Sequence, residues 1–350
     1  MQPVAAQRLR EEVPVNDKRV RTIADIARLA GVSKSTVSRA LNDSPLVAEE
    51  TKERIRSIAR KHRFQISAPA RRLSLRESRT IAFVTHAYHA CFSWVDLFGL
   101  EILGGITRGL YELGYDALML HVDPKDTSWI SQYMDTGRAD GFILLTSARK
   151  QFHVKALLAA DAPFVVWGAP LTGQRYCSVI GDDVTGGRLA TQHLIDGGRR
   201  RIGFLGGHPG EPEVLGRYRG YETALSDADR PVDETLVTYG DYSDVSGEAG
   251  MSELLDRDPD LDAVFVNSDV MAIAAMAVLR RRGRRVPDDV AVIGYDDLSI
   301  AAYADPPLTT IRQNVPEAGR VLARTLAEFL KTKIVTHVTI PVELVVRGSA

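Results

Sequence analysis

Thr22-Ile-Ala-Asp-Ile-Ala-Arg-Leu-Ala-Gly-Val-Ser-Lys-Ser-Thr-Val-Ser-Arg-Ala-Leu-Asn42 is the stretch whose reading decides how this chain is built. Ile23, Ile26, Ala27 and Ala30 recur at helical spacing, with Thr22 placed to cap the first turn and Gly31 to end the last. Ser33 is a second N-cap candidate. It opens a segment from Lys34 to Leu41 with Val37, Ala40 and Leu41 toward a core and Lys34, Ser35, Ser38 and Arg39 on the opposite face. Two short helices joined by a tight glycine-containing turn make a helix-turn-helix, whose second helix fits the major groove of B-DNA. A third amphipathic segment, from about Ala48 to His62, carries Glu49 and Glu50 near its start and Arg60 and Lys61 near its end, as the helix dipole favours.

The residue types suit that use. Arg39 can donate two hydrogen bonds to guanine, and Lys34 and Ser35 can reach neighbouring bases. Thr22, Ser33, Thr36, Ser38 and Asn42 are short polar groups suited to phosphate oxygens. An ordinary three-helix bundle with a solvated basic face would share the periodicity; the distribution of charge bears on the choice. Residues 1–80 hold 18 Lys and Arg against 9 Asp and Glu, whereas 81–350 hold 26 against 36. A basic head on an acidic body points to a polyanionic partner for the head alone.

At 350 residues, the chain exceeds what one core supports and divides into two or three domains. No apolar run approaches the roughly 20 residues that span a bilayer, and Met1 to Arg21 lacks a signal-peptide stretch, so a cytoplasmic protein with no membrane partner is expected. Cys91 and Cys177 lack metal-ligand spacing and the eight histidines form no ligand cluster. Neither Gly203-Phe-Leu-Gly-Gly-His208 nor Gly181-Asp-Asp-Val-Thr-Gly-Gly187 has phosphate-binding spacing, and no G-x-S-x-G elbow occurs. The expectation is therefore no enzyme, with no catalytic residue, metal or cofactor.

From Thr80 onward short apolar runs alternate with helical ones. The first group is Ile81–Val84, Ala117–Leu120, Gly141–Leu145 and Phe164–Trp167. The second is Ile202–Leu205, Ala263–Val266 and Val290–Ile293, with helices such as Gly187 to Asp196 and Val270 to Arg282 between them. Apolar strands with helical crossovers predict parallel sheets covered on both faces, in two sub-domains with a cleft between them.

Val32 to Asn42, with Ile23 to Gly31 before it, closely resembles the DNA-binding domain of the LacI/GalR family of bacterial regulators. Further motifs extend the resemblance over nearly the whole chain: Gly181–Gly187, Arg200-Arg-Ile-Gly-Phe-Leu-Gly-Gly207, Arg217-Tyr-Arg-Gly-Tyr221, Ser268-Asp-Val-Met-Ala272, Ile293-Gly-Tyr-Asp-Asp297 and Pro307-Leu-Thr-Thr-Ile311. The implied fold is an all-α helix-turn-helix head plus an α/β core of two doubly wound parallel-sheet sub-domains, like periplasmic sugar-binding proteins. The implied domains are an N-terminal extension (1–20), the DNA-binding domain (21–63), a hinge (64–79), and two effector-binding sub-domains, 80–180 with 312–340 and 181–311 with 341–350.

The resemblance also implies roles. The hinge of that family folds on operator DNA and wedges a leucine into the minor groove, which makes Leu73 the wedge and Ala70 a close-approach position. Ile66 stands where the family usually has proline, and Pro69 follows instead. With Ser67 as cap, proline falls in the first turn of a hinge helix; a flexible basic linker is the alternative. Arg217 and Asp296 match effector contacts and suit a polyhydroxylated ligand, while Trp167, Phe98 or Trp94 could stack on a sugar ring. Ser268 stands where asparagine is frequent, and Trp167 or Gly168 where an aspartate often binds, which leaves the ligand open. The segment from His86 to Trp94 either enlarges the pocket or is a buried apolar loop. The expected function is a homodimeric repressor on palindromic double-stranded operator DNA, controlled by a small-molecule effector, a sugar or glycoside. A purine-type corepressor, or a sugar-binding protein without DNA function, remains as the alternative.

Overall fold

The computed structural model describes residues 22–41, 43–62, 64, 77–86, 96–123, 125–145, 151–169, 173 and 175–350. The chain divides into two compact units, Met1–Arg76 and Glu77–Ala350.

The first unit holds α1 (Ile23–Ala30), α2 (Lys34–Leu41) and α3 (Glu49–Lys61). α1 begins with a capping box. The Thr22 hydroxyl accepts the Asp25 N–H at 3.2 Å while the Asp25 carboxylate accepts the Thr22 N–H at 3.1 Å. Gly31 ends the helix at φ 65°, a conformation that favours glycine, and donates its N–H to the Ala27 carbonyl. Ser33 opens α2 by accepting the Thr36 N–H at 3.1 Å. The core is small: Ile26, Val37, Ala40 and Ile55 are fully buried, flanked by Ala27, Ala30, Val47 and Ala59. Lys52 on α3 ties that helix to the turn before it through Asp43 at 3.1 Å.

The second unit contains two six-stranded sheets. The first comprises β1 (Thr80–His86), β2 (Asp116–Val122), β3 (Gly141–Leu145), β4 (Phe164–Trp167), β5 (Cys177–Gly181) and β11 (His337–Ile340), in the order β11-β5-β4-β3-β1-β2 and wholly parallel. α4 (Asp96–Glu112) and α11 (Val315–Thr332) cover one face; α5 (Ser128–Met134) and α6 (Gln151–Ala159) cover the other. The second sheet comprises β6 (Ile202–Gly206), β7 (Val237–Tyr239), β8 (Ala263–Val266), β9 (Ala291–Asp296), β10 (Thr309–Arg312) and β12 (Glu343–Val345), in the order β12-β10-β9-β8-β6-β7. Only β12 runs antiparallel, against β10. α7 (Asp183–Asp196) and α8 (Pro212–Asp227) lie on one face, and α9 (Asp244–Arg257) and α10 (Asp269–Arg281) on the other. β6, β8 and β9 are buried along their whole length, as central strands covered on both faces must be. The chain passes between the two lobes three times, after β5, after β10 and after β11.

Glycines set the position of one helix pair. A Cβ on Gly187 would lie 2.1 Å from the Arg217 carbonyl oxygen, and one on Gly220 would lie 2.2 Å from that of Val184. The backbones of α7 and α8 therefore touch, which brings the first turn of α7 against the turn of α8 that carries Arg217. α7 also begins earlier than the expected Gly187. Asp182 accepts the Thr185 N–H at 3.1 Å and the Thr185 hydroxyl at 2.7 Å, so the helix starts at Asp183. β9 starts one residue after the expected Val290 and runs past Ile293 to Asp296. No described helix is long and apolar enough to cross a membrane, and no group of His, Cys, Asp and Glu among the described residues could hold a metal ion.

Candidate DNA-reading and effector sites

On α2 the sequence places polar residues on the face its core does not use. Ser33, Lys34, Ser35 and Arg39 are exposed and Thr36 and Ser38 half-buried, while Val37 and Ala40 point inward. The Ser33 hydroxyl lies 2.7 Å from that of Ser35 and 2.8 Å from that of Thr36, which fixes the start of the helix. Thr22 donates its hydroxyl to Asp25 at 2.8 Å. Among the described residues no carboxylate pairs with Lys34 or Arg39, whereas Arg28, Arg56 and Arg60 all have one. Asn42, Ala70, Leu73 and Trp94 lie outside the described residues.

The second candidate site lies at the carboxyl edge of the second sheet, where ligands bind in open α/β sheets. β9 ends in Asp296, β8 is followed by Asn267 and Ser268, and α8 supplies Arg217. Arg217 is 5% exposed. Its Nε donates to Asp183 Oδ1 at 2.8 Å, its Nη1 donates to the Asn267 carbonyl at 2.6 Å, and its guanidinium carbon sits 3.7 Å from the centroid of the Tyr295 ring. Tyr295 donates its hydroxyl to the same Asp183 oxygen at 3.3 Å. Neither Arg217 nor Asp296 is a surface ion-pair residue, and two edges of the Arg217 fork are already committed to the protein. Arg217, matched in the sequence to an effector contact, thus has two of its donors already satisfied within the protein.

Acids dominate this edge. Asp296 is 7% exposed, accepts Gln313 Nε2 at 2.6 Å and adopts φ 114°. Burial pushes its pKa up to about 7, against the opposing pull of Arg217 and of the Gln313 hydrogen bond. Glu213 is likewise pushed up to about 7 by burial, with Arg217 again opposing. Burial also raises Asp183 despite its pairing with Arg217. Asp269, with no exposed surface, accepts the Thr310 hydroxyl at 2.5 Å and the Leu298 N–H at 2.7 Å, and burial lifts it well above the carboxylate range. Crowded carboxyl groups around Arg217, several of them raised toward or above neutrality by burial, make an edge that can both accept from and donate to a ligand rich in hydroxyls.

The remaining expected residues divide between the lobes. Ser268 is 5% exposed, and its oxygen accepts the Met271 N–H at 3.2 Å as the cap of α10, which leaves its proton to donate. Trp167 and Phe98 meet in the first lobe with centroids 5.9 Å apart at 45°, both half-buried against its core. Sequence reasoning missed Asp183, the partner of Arg217. It also missed Asn267 and Tyr242, whose side-chain amide and hydroxyl are buried without a hydrogen-bond partner among the described residues. Asn267 had a usable signal, as the polar residue that ends the apolar run Ala263–Val266; Tyr242 had none.

A profile for bacterial regulatory proteins of the lacI family matches residues 22–67, and one for a periplasmic binding protein-like domain matches 191–350. The HTH-type transcriptional regulator CelR of Thermobifida fusca is 38% identical over 93% of this chain and 95% of its own length. The chain belongs to the lacI family. This lacI-family protein is a sequence-specific DNA-binding transcription regulator with a ligand-sensing core, and not an enzyme. Among solved structures it is similar to a transcriptional regulator CelR–cellobiose complex, with a TM-score of 0.72, 35% identity and coverage of 94% of this chain and 99% of that one. It is also similar to a lac repressor dimer bound to operator and the anti-inducer ONPF, with a TM-score of 0.78, 25% identity and coverage of 95% and 99%.

Proposed function

We propose that this chain is a homodimeric repressor whose hold on a palindromic operator is set by a sugar, a glycoside or oligosaccharide, in the cleft of its core. The observation that carries the sugar reading is the carboxyl-lined edge, with Asp296 and Asp183 crowded around Arg217 and buried beside it. It is supported by the likeness to a regulator solved with cellobiose. The carboxyl groups exchange hydrogen bonds with ligand hydroxyls, Ser268 donates, and the Trp167–Phe98 pair offers an apolar surface for a sugar ring. In the head, Lys34, Ser35 and Arg39 read base edges, while Thr22, Ser33, Thr36, Ser38 and Asn42 hold phosphates. Ala70 and Leu73 enter the minor groove from a hinge at 64–79, between the DNA-binding domain (21–63) and the two effector lobes. One helix-turn-helix reads too few base pairs to choose a genomic site, so two heads linked through dimerised cores are required.

Two measurements test this reading. Selection from random duplexes should return a two-fold symmetric consensus; the absence of any preferred sequence would refute the DNA-reading part. A thermal-shift panel of cellobiose, ribose, other glycosides and purines should raise the unfolding midpoint for at least one sugar by mass action. Stabilisation by a purine alone would replace the sugar with a purine corepressor.

A further inference from the structure

We propose that Glu101 and the turn 296–299 form a latch that couples the effector edge of the second lobe to the first lobe, with Glu101 a positioning residue that touches no ligand. The inference rests on the reading of Asp296 as an effector contact and deepens it. Glu101 lies on α4, in the first lobe. Its Oε1 accepts both the N–H and the hydroxyl of Ser299, at 2.9 and 2.8 Å, three residues beyond Asp296. Apolar contacts accompany the pair. Leu298, 2% exposed, and Val270, 7% exposed, belong to second-lobe segments, yet both pack in the first-lobe cluster with Ile102, and Leu97, Phe98 and Ile300 line its border.

The turn between ligand edge and latch is stiff. Asp296 and Asp297 have φ 114° and 56°, left-handed values that a non-glycine residue holds only when its surroundings enforce them. Those surroundings are on every side. Asp269 accepts the Leu298 N–H at 2.7 Å, and the two oxygens of Asp297 accept Arg312 Nε and Arg347 Nη2 at 2.6 Å each. An ordinary loop would absorb a shift of the Asp296 carboxylate. This turn transmits it to Ser299, where two hydrogen bonds to one charged oxygen are made or lost together.

The test needs no ligand. Spin labels at K155C on α6 and S226C on α8, both exposed positions in different lobes, would report the inter-lobe distance in the full chain with its native cysteines replaced by serine. In dimers formed with an excess of unlabelled chain, so that each carries at most one labelled copy, the parent should give one narrow distribution. Glu101→Ala should move the population about tenfold toward a second separation. Glu101→Gln, whose amide oxygen still accepts, should stay near the parent, and Ser299→Ala should fall between because its N–H remains. Ser299 is exposed, so S299A keeps the contact testable should E101A fail to fold. An E101A distribution superimposable on the parent would overturn the latch. So would an E101Q distribution as shifted as E101A, which would place the effect in charge and not in the accepted hydrogen bonds. The effector reading fails by a different result, full stabilisation of Asp296→Asn by the sugar panel.

Discussion

The head and the second lobe use arginine in opposite ways. Arg39 stands exposed on α2 with no carboxylate partner among the described residues, whereas Arg217 is 5% exposed, paired with Asp183 and stacked on Tyr295. A charge left in water costs little to keep, acts at a distance and is screened by salt, which suits the encounter with a polyanion. A charge taken out of water is costly unless its partners are fixed. In return it orders those partners, and an ordered edge can discriminate among neutral polar ligands. On the proposed reading the two regions separate attraction from discrimination of small molecules, and variants can be chosen to break that division.

Arg217→Ala carries the largest expected effect. It leaves Asp183, as buried as the arginine was, without its cation, and loss of one partner of a buried pair costs about 3–5 kcal/mol. Urea unfolding of the full chain followed by near-UV signal should show it. The comparison sharpens with Arg217→Met combined with Asp183→Asn, which removes both charges and should recover most of the stability while sugar stabilisation stays lost. If that pair restored the sugar response, the ordered charge would not be what discriminates.

In the head, Arg39→Ala should leave unfolding almost unchanged and cost about 1–3 kcal/mol of operator binding, with sequence preference relaxed. Fluorescence anisotropy on the selected operator and on a random duplex, at one salt concentration, checks it. An equal loss on both duplexes would reduce Arg39 to a phosphate contact.

The same contrast explains what could be read from the sequence. Every expected strand is present because a period of two, or a short apolar run, survives tertiary context. α1 and α2 were legible to the residue because their caps, Thr22, Gly31 and Ser33, are local. The start of α7 was not. Gly186 and Gly187 resemble a loop, yet they are there because Tyr295 and α8 approach too closely for a side chain. Arg217 could be singled out, but its partner is 34 residues away and the contact exists only once α7 and α8 have packed. β7, three residues long at the sheet edge, is too short to carry a pattern.

A third expectation concerns pH. In the folded chain burial holds the Asp296 proton up to about pH 7, while in the unfolded chain it leaves near 3.8. The folded state therefore binds more protons between those values, and the stability this group contributes is complete below about pH 4 and is lost as pH rises through about 7. Glu213, raised from 4.5 to about 7, acts in the same direction. One such group gives a slope of about 1.4 kcal/mol per pH unit in that window. Chemical denaturation at pH 5, 6 and 7 should show the wild-type protein losing stability relative to Asp296→Asn as pH rises. A difference that stays constant over the three values would contradict a proton held at this edge.

The smallest effect gives the closest comparison, because it keeps the chemistry fixed and changes only the region. Thr22 and Ser268 perform the same local task. Each side-chain oxygen accepts a backbone N–H three residues on, at 3.2 Å in both cases, to cap α1 and α10. Replacement of either by alanine removes one cap and should cost about 1 kcal/mol. Thr22 is exposed and Ser268 is 5% exposed at the effector edge, so the consequences should part after that shared loss. Thr22→Ala should weaken binding to every duplex alike and leave the sugar-induced thermal shift intact. Ser268→Ala should reduce that shift and leave the preference for operator over random DNA unchanged. Thr22→Ser and Ser268→Thr, which keep the hydroxyl, should restore the cap in each region. If Ser268→Ala altered duplex preference with no ligand present, the effector edge would act on the head through stability alone, and the division of labour between the two arginines would fail with it.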